Sequence, residues 1–385
     1  MVEPEGGDRD DSESGNGDAE DRCPSETGGA HVTMERRRGR GAVSNASGRF
    51  ERVDRIAFDD GWESLGDLPA FRTHVQQEPA RSIITTNDSP DISFDQSINP
   101  YRGCEHGCIY CYARPTHCYL GHSAGLDFEA LLYAKPNAAE LLVRELANPR
   151  YLPKTIALGT NTDPYQPIER DLRLTRQILE VLEKARHPVA IVTKSALVAR
   201  DADILGRMAE QGLAKVALSV TTLDRRLARA MEPRAATPQR RLAALGALAQ
   251  AGVPTAVMMA PIIPGLTDHE IERVLEAATE VGVREAGYVL LRLPLEIKTL
   301  FREWLAESAP GRAKRVITLL QQMHGGQDYT SHFGTRQTGS GPYAQQISQR
   351  FRLAMRRLGL GEKRLALRTD LFRRPVLPGG QLDLL

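Results

Sequence analysis

Six short apolar runs set the architecture open to this chain: residues 95–99, 155–159, 189–193, 215–220, 255–259 and 286–291, each bounded by Pro, Gly or charged residues. Runs of that length and framing read as β-strands. Helical stripes lie between them. Over 171–186 the spacing puts Leu172, Thr175, Ile178, Leu179, Leu182 and Ala185 on one face, and 237–251 and 267–281 repeat the pattern. Thr237-Pro238 and Thr267-Asp268 carry helix-start chemistry, and Glu270 stands where it would complete a capping box with Thr267. Strand–helix alternation favours parallel strands joined by right-handed crossovers. Six such units predict an α/β fold, a partial (β/α)6 barrel, with functional groups gathered at the carboxyl ends of its strands.

The composition changes on either side of that core. Residues 1–33 hold ten acidic side chains against Arg9 and Arg22, and large apolar residues are almost lacking through residue 48. Such a segment cannot bury enough surface to offset its ordering entropy, so 1–48 is expected to be disordered. Met34 opens the arginine run 35–41 and is a candidate true start; the run could touch nucleic acid or stay solvated. Residues 49–90 read as an N-terminal extension, 91–292 as the barrel and 293–385 as a basic C-terminal extension. In the last, nine basic residues face two acidic ones between Gln345 and Pro375. There, 312–323 reads as a helix and the Gly-rich 324–343 as a loop, either a cover for the barrel or a linker. Residues 343–358 read as a basic amphipathic helix with Ile347, Phe351, Met355 and Leu358 as its apolar stripe. The net charge of +1 names no partner, and a hydrophobic content of 41% allows a sizeable core. No run approaches the length of a membrane span, and the polar start is unlike a secretory signal. The expected location is the cytoplasm, with no membrane partner.

Four of the five cysteines fall within 104–118, whereas a disulfide framework would spread them out. In Asn99-Pro100-Tyr101-Arg102-Gly103-Cys104-Glu105-His106-Gly107-Cys108-Ile109-Tyr110-Cys111-Tyr112, three thiols occur within eight residues. Gly103 and Gly107 permit the backbone values that curling around an inorganic centre needs. Three cysteines on a cubane leave one iron without a protein ligand, open to substrate or cofactor. The rival is a zinc site with Cys118, His106, His117 or His122 as fourth ligand, in a non-catalytic nucleic-acid module. Cys23 stands alone in the acidic segment.

The C-x3-C-x2-C spacing, with Tyr110 directly before the third cysteine, resembles the radical SAM superfamily. The resemblance implies a [4Fe–4S] cluster on Cys104, Cys108 and Cys111, with S-adenosylmethionine (SAM) held at the open iron by its methionyl amine and carboxylate. It also implies reductive cleavage of SAM to methionine and a 5′-deoxyadenosyl radical, an electron donor of flavodoxin or ferredoxin type, and Tyr110 packed near adenine. From about Asp91 to Asp268 the chain is similar, more narrowly, to the spore photoproduct lyase-like (DNA repair photolyase-like) branch. By that likeness Asn161 and Thr162, after the second strand, would bind the methionyl amine, and Lys194, after the third, the carboxylate. Ser219 would contact SAM and Thr221 the ribose. Arg234, in Met231-Glu232-Pro233-Arg234, would lie near the sulfonium carboxylate or form a surface ion pair, and Ile263 would wall the adenine. Plain alternatives stand beside these roles: Asn, Asp and Pro build turns, and Ser and Thr in a strand can be structural.

One departure matters. The lyases place a hydrogen-donating cysteine after the second strand, where this chain has Asn161, so cysteine-dependent reversal of a thymine dimer is not expected. Nucleic acid is the substrate class the likeness implies. A peptide- or protein-modifying radical enzyme is the alternative, and the want of a second cluster-binding cysteine set argues against it.

Overall fold

Each of the six apolar runs forms a strand. The computed structural model describes residues 39–51, 72–92, 94–361 and 366–377. Its strands are β1 (His74–Gln77), β2 (Ile84–Thr86), β3 (Gln96–Ile98), β4 (Tyr101–Arg102), β5 (Leu131–Ala134), β6 (Ile156–Leu158), β7 (Val189–Thr193), β8 (Ala214–Ser219), β9 (Thr255–Ile262) and β10 (Glu285–Leu290). The expected six are β3 and β6 to β10. They lie side by side, parallel and in sequence order, with β2 antiparallel against β3 at one edge. The order β10-β9-β8-β7-β6-β3-β2 does not close on itself, which makes this a partial (β/α)6 barrel. Registers such as Leu158↔Ile191 and Ser219↔Met258 bring neighbouring strand ends level. Strands covered on both faces read as near-continuous apolar runs, and Ile156, Leu158, Val216, Leu218 and Val257 are wholly buried.

The helices are α1 (Leu126–Ala130), α2 (Ala138–Ala147), α3 (Glu169–Leu172), α4 (Leu174–Lys184), α5 (Ala202–Glu210), α6 (Arg225–Met231), α7 (Pro238–Gln250), α8 (Ile271–Glu280), α9 (Ile297–Ser308), α10 (Pro310–Met323) and α11 (Gly341–Arg357). α7 starts as expected, with the Thr237 hydroxyl accepting from Arg240 N. Two expectations are corrected. The single helix over 171–186 is broken at Arg173, where φ is +52°. There the buried Glu169 carboxylate accepts from Thr175 N at 3.1 Å and from the Tyr101 hydroxyl at 2.5 Å, so α4 begins on a side-chain acceptor instead of continuing α3. The Thr267–Glu270 capping box does not form. Thr267 Oγ1 accepts from Ile263 N at 2.9 Å, Glu270 accepts from Leu223 N at 2.8 Å, and the first turn is a 3-10 segment, Asp268–Glu270.

A small sheet, β1-β5-β4, together with α1 and α2, occupies residues to which the sequence assigned no elements. In the C-terminal extension α11 buries Ile347 and Phe351. Its basic character is partly neutralised at home, because Arg350 pairs with Glu272 at 2.6 Å and Arg357 with Glu276. The tail expected over 1–48 is also corrected. Residues 39–48 are described; Arg40 and Ala42 within them are buried, with Arg40 donating to the Glu129 carbonyl and Ala42 N to the Glu129 carboxylate. The acidic segment 1–33, Cys23, Met34 and most of the arginine run lie outside the described residues. Among the described residues no helix is long and apolar enough to cross a membrane.

Candidate active site

The loop between β4 and the 3-10 helix Arg114–Leu120, just past the carboxyl end of β3, carries the three cysteines. Gly103 and Gly107 have φ of +73° and +66°. A Cβ on Gly103 would sit 2.7 Å from Leu132 Cδ2, and one on Gly107 would sit 2.6 Å from Glu129 Oε2, so conformation and space both require glycine. Cys104 N donates to Phe128 O at 3.0 Å and Ile109 N to Met231 O at 3.0 Å, which curls the loop inward. The three thiols then line one cavity, together with 159–163 after β6, Val192 to Lys194 at the end of β7, and Ser219 at the end of β8. Cys104 and Cys108 are buried and Cys111 is half-buried. Burial pushes the Cys104 and Cys108 thiols up; Asp163 adds to this at Cys104, whereas the Lys194 charge pulls Cys108 back.

A buried charge network supports the loop from below. Arg114 donates to Cys108 O at 2.9 Å, Gly107 O at 3.1 Å, Ala124 O at 3.0 Å and Gly125 O at 2.9 Å, and pairs with Glu129 at 2.5 Å. The wholly buried Glu129 also accepts from Gly41 N at 2.9 Å and Ala42 N at 2.8 Å, while Arg40 donates to the Glu129 carbonyl at 2.7 Å. Residues 40–42 thus form a strap against the cysteine loop. From the side, Glu105 N donates to Gln166 Oε1 at 2.8 Å, and Thr162 Oγ1 donates to Gly103 O at 2.6 Å. Asp163 meets His106 Nδ1 at 3.2 Å, the Thr193 hydroxyl at 2.6 Å and Lys194 N at 2.8 Å. Burial alone would raise its carboxyl; these partners outweigh that and hold its pKa at about 2.

Of the residues singled out from sequence, the structure gathers Cys104, Cys108, Cys111, Asn161, Thr162, Lys194 and Ser219 around the cavity. Tyr110 stands behind it. Its ring lies 5.6 Å from Lys194 Nζ, and its hydroxyl donates to Glu232, which also accepts from Thr221 at 2.9 Å and pairs with Arg241. Thr221 thus spends its proton on Glu232. Arg234 pairs with Glu105, so its surface ion-pair alternative is the one realised. Ile263 is wholly buried and is not among the cavity residues, because the turn in which its carbonyl accepts from Leu266 N and Thr267 N directs it into the core.

Of the possible fourth ligands of a zinc site, Cys118, His117 and His122 lie off the cavity, whereas His106 lines it. Cys118 is wholly buried away from the cavity lining, His117 Nε2 is 2.8 Å from Leu131 O, His122 Nε2 is 2.5 Å from Tyr133 Oη, and His106 faces Asp163. Among the described residues no three His, Cys, Asp or Glu side chains converge as a single ion requires. Three thiols on one cavity with a polar open side fit a cubane that keeps one iron free. Arg114 and Glu129 escaped the sequence reading; the one signal, for Glu129 alone, was a pair of carboxylates inside the apolar run Leu126-Asp127-Phe128-Glu129-Ala130-Leu131-Leu132.

Known proteins agree with this geometry. Residues 98–278 match the Radical SAM superfamily. An uncharacterized protein of Mycobacterium tuberculosis is 38% identical over 233 residues, 60% of this chain and 68% of that one. A protein of Pseudomonas phage M6 named Radical SAM Nalpha-GlyT isomerase is 25% identical, over 69% of this chain and 53% of its own. The fold is similar to that of spore photoproduct lyase in complex with dinucleoside spore photoproduct, with a TM-score of 0.55 and 14% identity over 74% of this chain and 80% of that one. A double mutant of the lyase, with bound AdoMet and the same lesion, superposes at a TM-score of 0.53 with 15% identity and the same coverage. A cysteine loop at the carboxyl ends of six parallel strands, and a match that runs from the first of those strands into α8, place this chain in the radical SAM superfamily.

Proposed function

We propose that this chain is an enzyme that reductively cleaves SAM at a [4Fe–4S] cluster held by Cys104, Cys108 and Cys111. The observation that carries the reading is the convergence of three thiols on one cavity whose open side is built from Asn161, Lys194 and Ser219. When bound, the cluster supplies one electron to the sulfonium, yielding methionine and a 5′-deoxyadenosyl radical able to abstract hydrogen from an unreactive C–H bond. The chain's own residues bind and orient. Lys194 offers a point charge to the methionyl carboxylate. Asn161 faces the same cavity as the partner for the methionyl amine. Thr162 gives its proton to Gly103 O, which leaves it as an acceptor and a brace of the cysteine loop. Tyr110, held by Glu232, sets one wall behind Lys194. A flavodoxin- or ferredoxin-type protein would supply the electron.

The substrate class we favour is nucleic acid, as for the lyase of similar fold, whose structures hold a dinucleoside lesion. Return of hydrogen from a cysteine does not carry over, because Asn161 stands at the expected position and Cys118 lies off the cavity. Anaerobic reconstitution with iron and sulfide, followed by SAM and dithionite, should give a brown protein that releases 5′-deoxyadenosine. Alanine at any one of the three cysteines should abolish both colour and product. A colourless wild-type protein that retains zinc, or turnover that survives those substitutions, would overturn the reading.

A further inference from the structure

Two guanidinium–aromatic stacks stand at the carboxyl end of β10. Tyr112, directly after the third cysteine, lines the cavity yet is 50% exposed, and its hydroxyl donates to Thr160 O. The Arg292 guanidinium carbon lies 5.3 Å from the centroid of that ring. Phe333 is 60% exposed, and Arg336 lies 4.6 Å from its centroid. Leu290 N donates to Gln337 O at 2.8 Å, which fixes the loop that bears Phe333 beside the strand end that bears Arg292. Both stacks therefore belong to one rim of the barrel mouth.

The two cations differ in their partners. Arg336 is paired with Asp91 at 2.6 Å. Arg292, among the described residues, makes no hydrogen bond or ion pair, and its Nε is buried without an acceptor. Behind it His324 is 4% exposed; burial lowers its pKa, the Leu291 backbone opposes this, and the Arg292 charge lowers it further. A buried arginine donor left unmade is costly, and such groups in native structures call for an external partner. The guanidinium fork matches the paired oxygens of phosphate or carboxylate. The exposed rings separate these ligands. Each has one face on a guanidinium and area left for a nucleobase to stack, which is how unpaired strands are held. A carboxylate ligand would leave both rings without a function.

We propose that this rim docks a strand of nucleic acid, with Arg292 gripping a phosphodiester and Tyr112 and Phe333 stacking bases at the cavity entrance. The purpose of the rim rests on the radical-enzyme reading, but binding alone tests it. Fluorescence anisotropy on the anaerobically reconstituted protein would compare short labelled single-stranded DNA, RNA of the same sequence and a glutamate-rich peptide. Oligonucleotide binding should weaken with salt. Arg292→Gln and Phe333→Ala should each raise the Kd about ten-fold, and Arg292→Lys should recover part of the loss because it keeps the charge without the fork. Arg352→Gln, on exposed α11 surface, should stay within about two-fold. The tighter of the DNA and RNA arms names the source of the phosphodiester. An unchanged Kd in Arg292→Gln, no binding of either oligonucleotide, or selective binding of the peptide overturns the proposal. The radical-enzyme reading fails separately, if wild-type protein forms no 5′-deoxyadenosine.

Discussion

Arg114 and Glu129 are both wholly buried, and between them they order two backbone segments far apart in sequence. Removing one partner of such a pair leaves an uncompensated charge in the interior, at a cost of about 3–5 kcal/mol. Arg114→Met is therefore expected to lower the urea midpoint steeply and to lose iron, because Gly107 O and Cys108 O lose their donor. A sharper test is Gly41→Ala, which alters no charge. Its Cβ would meet Gly107 O at 1.8 Å, so strap and cysteine loop must part. Iron bound per chain after gel filtration should fall well below wild type; full retention would show that the strap does not hold the loop. The three cysteines were legible because their spacing is local. The strap was not, since Gly41 and Glu129 are 88 residues apart and nothing in either neighbourhood names the other.

Among the elements, the six barrel strands were read within a few residues; the small sheet, β2, α1, α2, α5, α6 and α9 were not read, and the misread helices err where side chains cap or break them. Thr237 and Thr267 look alike in sequence and act differently. The Thr237 hydroxyl accepts from Arg240 N at 3.4 Å, as an N-cap does, and Thr237→Ala should cost about 1 kcal/mol. Thr267 instead satisfies the buried Ile263 N. Thr267→Val keeps the shape and removes only the hydroxyl, so it should cost about 1–3 kcal/mol through the stranded donor. Urea midpoints of the two variants, with Thr267→Ser as rescue, check the order; equal losses, or no rescue by serine, would restore the capping assignment. Glu169 shows the same limit. A carboxylate ahead of a helical stripe gives no sign that it will start the next helix, because its targets are set by how β4 and α4 pack.

For the whole molecule, buried histidines tie stability to pH. His187 is wholly buried, with Nε2 2.7 Å from Tyr151 Oη and Phe372 of the C-terminal segment edge-on to its ring; Glu145 is the nearby charge, acting on Tyr151. Burial lowers its pKa from 6.5 to about 4, against a hydrogen bond from Nδ1 to the Pro188 carbonyl. The unfolded chain takes up that proton as pH falls below 6.5 while the folded chain does not until about 4, so stability is lost across that window and is fully present above it. The loss is on the order of 3 kcal/mol at pH 4. His117, also lowered to about 4, acts in the same direction. The urea midpoint of wild type should therefore fall between pH 6.5 and 4, and His187→Gln should flatten that fall; identical slopes would remove His187 as a source.

Local pattern alone determined the six barrel strands, the cores of α4, α7, α8, α10 and α11, the parallel order and the cysteine loop, because periodicity and cysteine spacing act over a few residues and survive without a partner. Tertiary structure decided which polar groups were left available. It drew Thr221 and Tyr110 onto Glu232, took Ile263 into the core, gave Arg234 to Glu105 and left Arg292 Nε without an acceptor among the described residues. A buried polar group must find its complement somewhere in the fold, and where that complement lies is set by packing between elements rather than by the residues on either side.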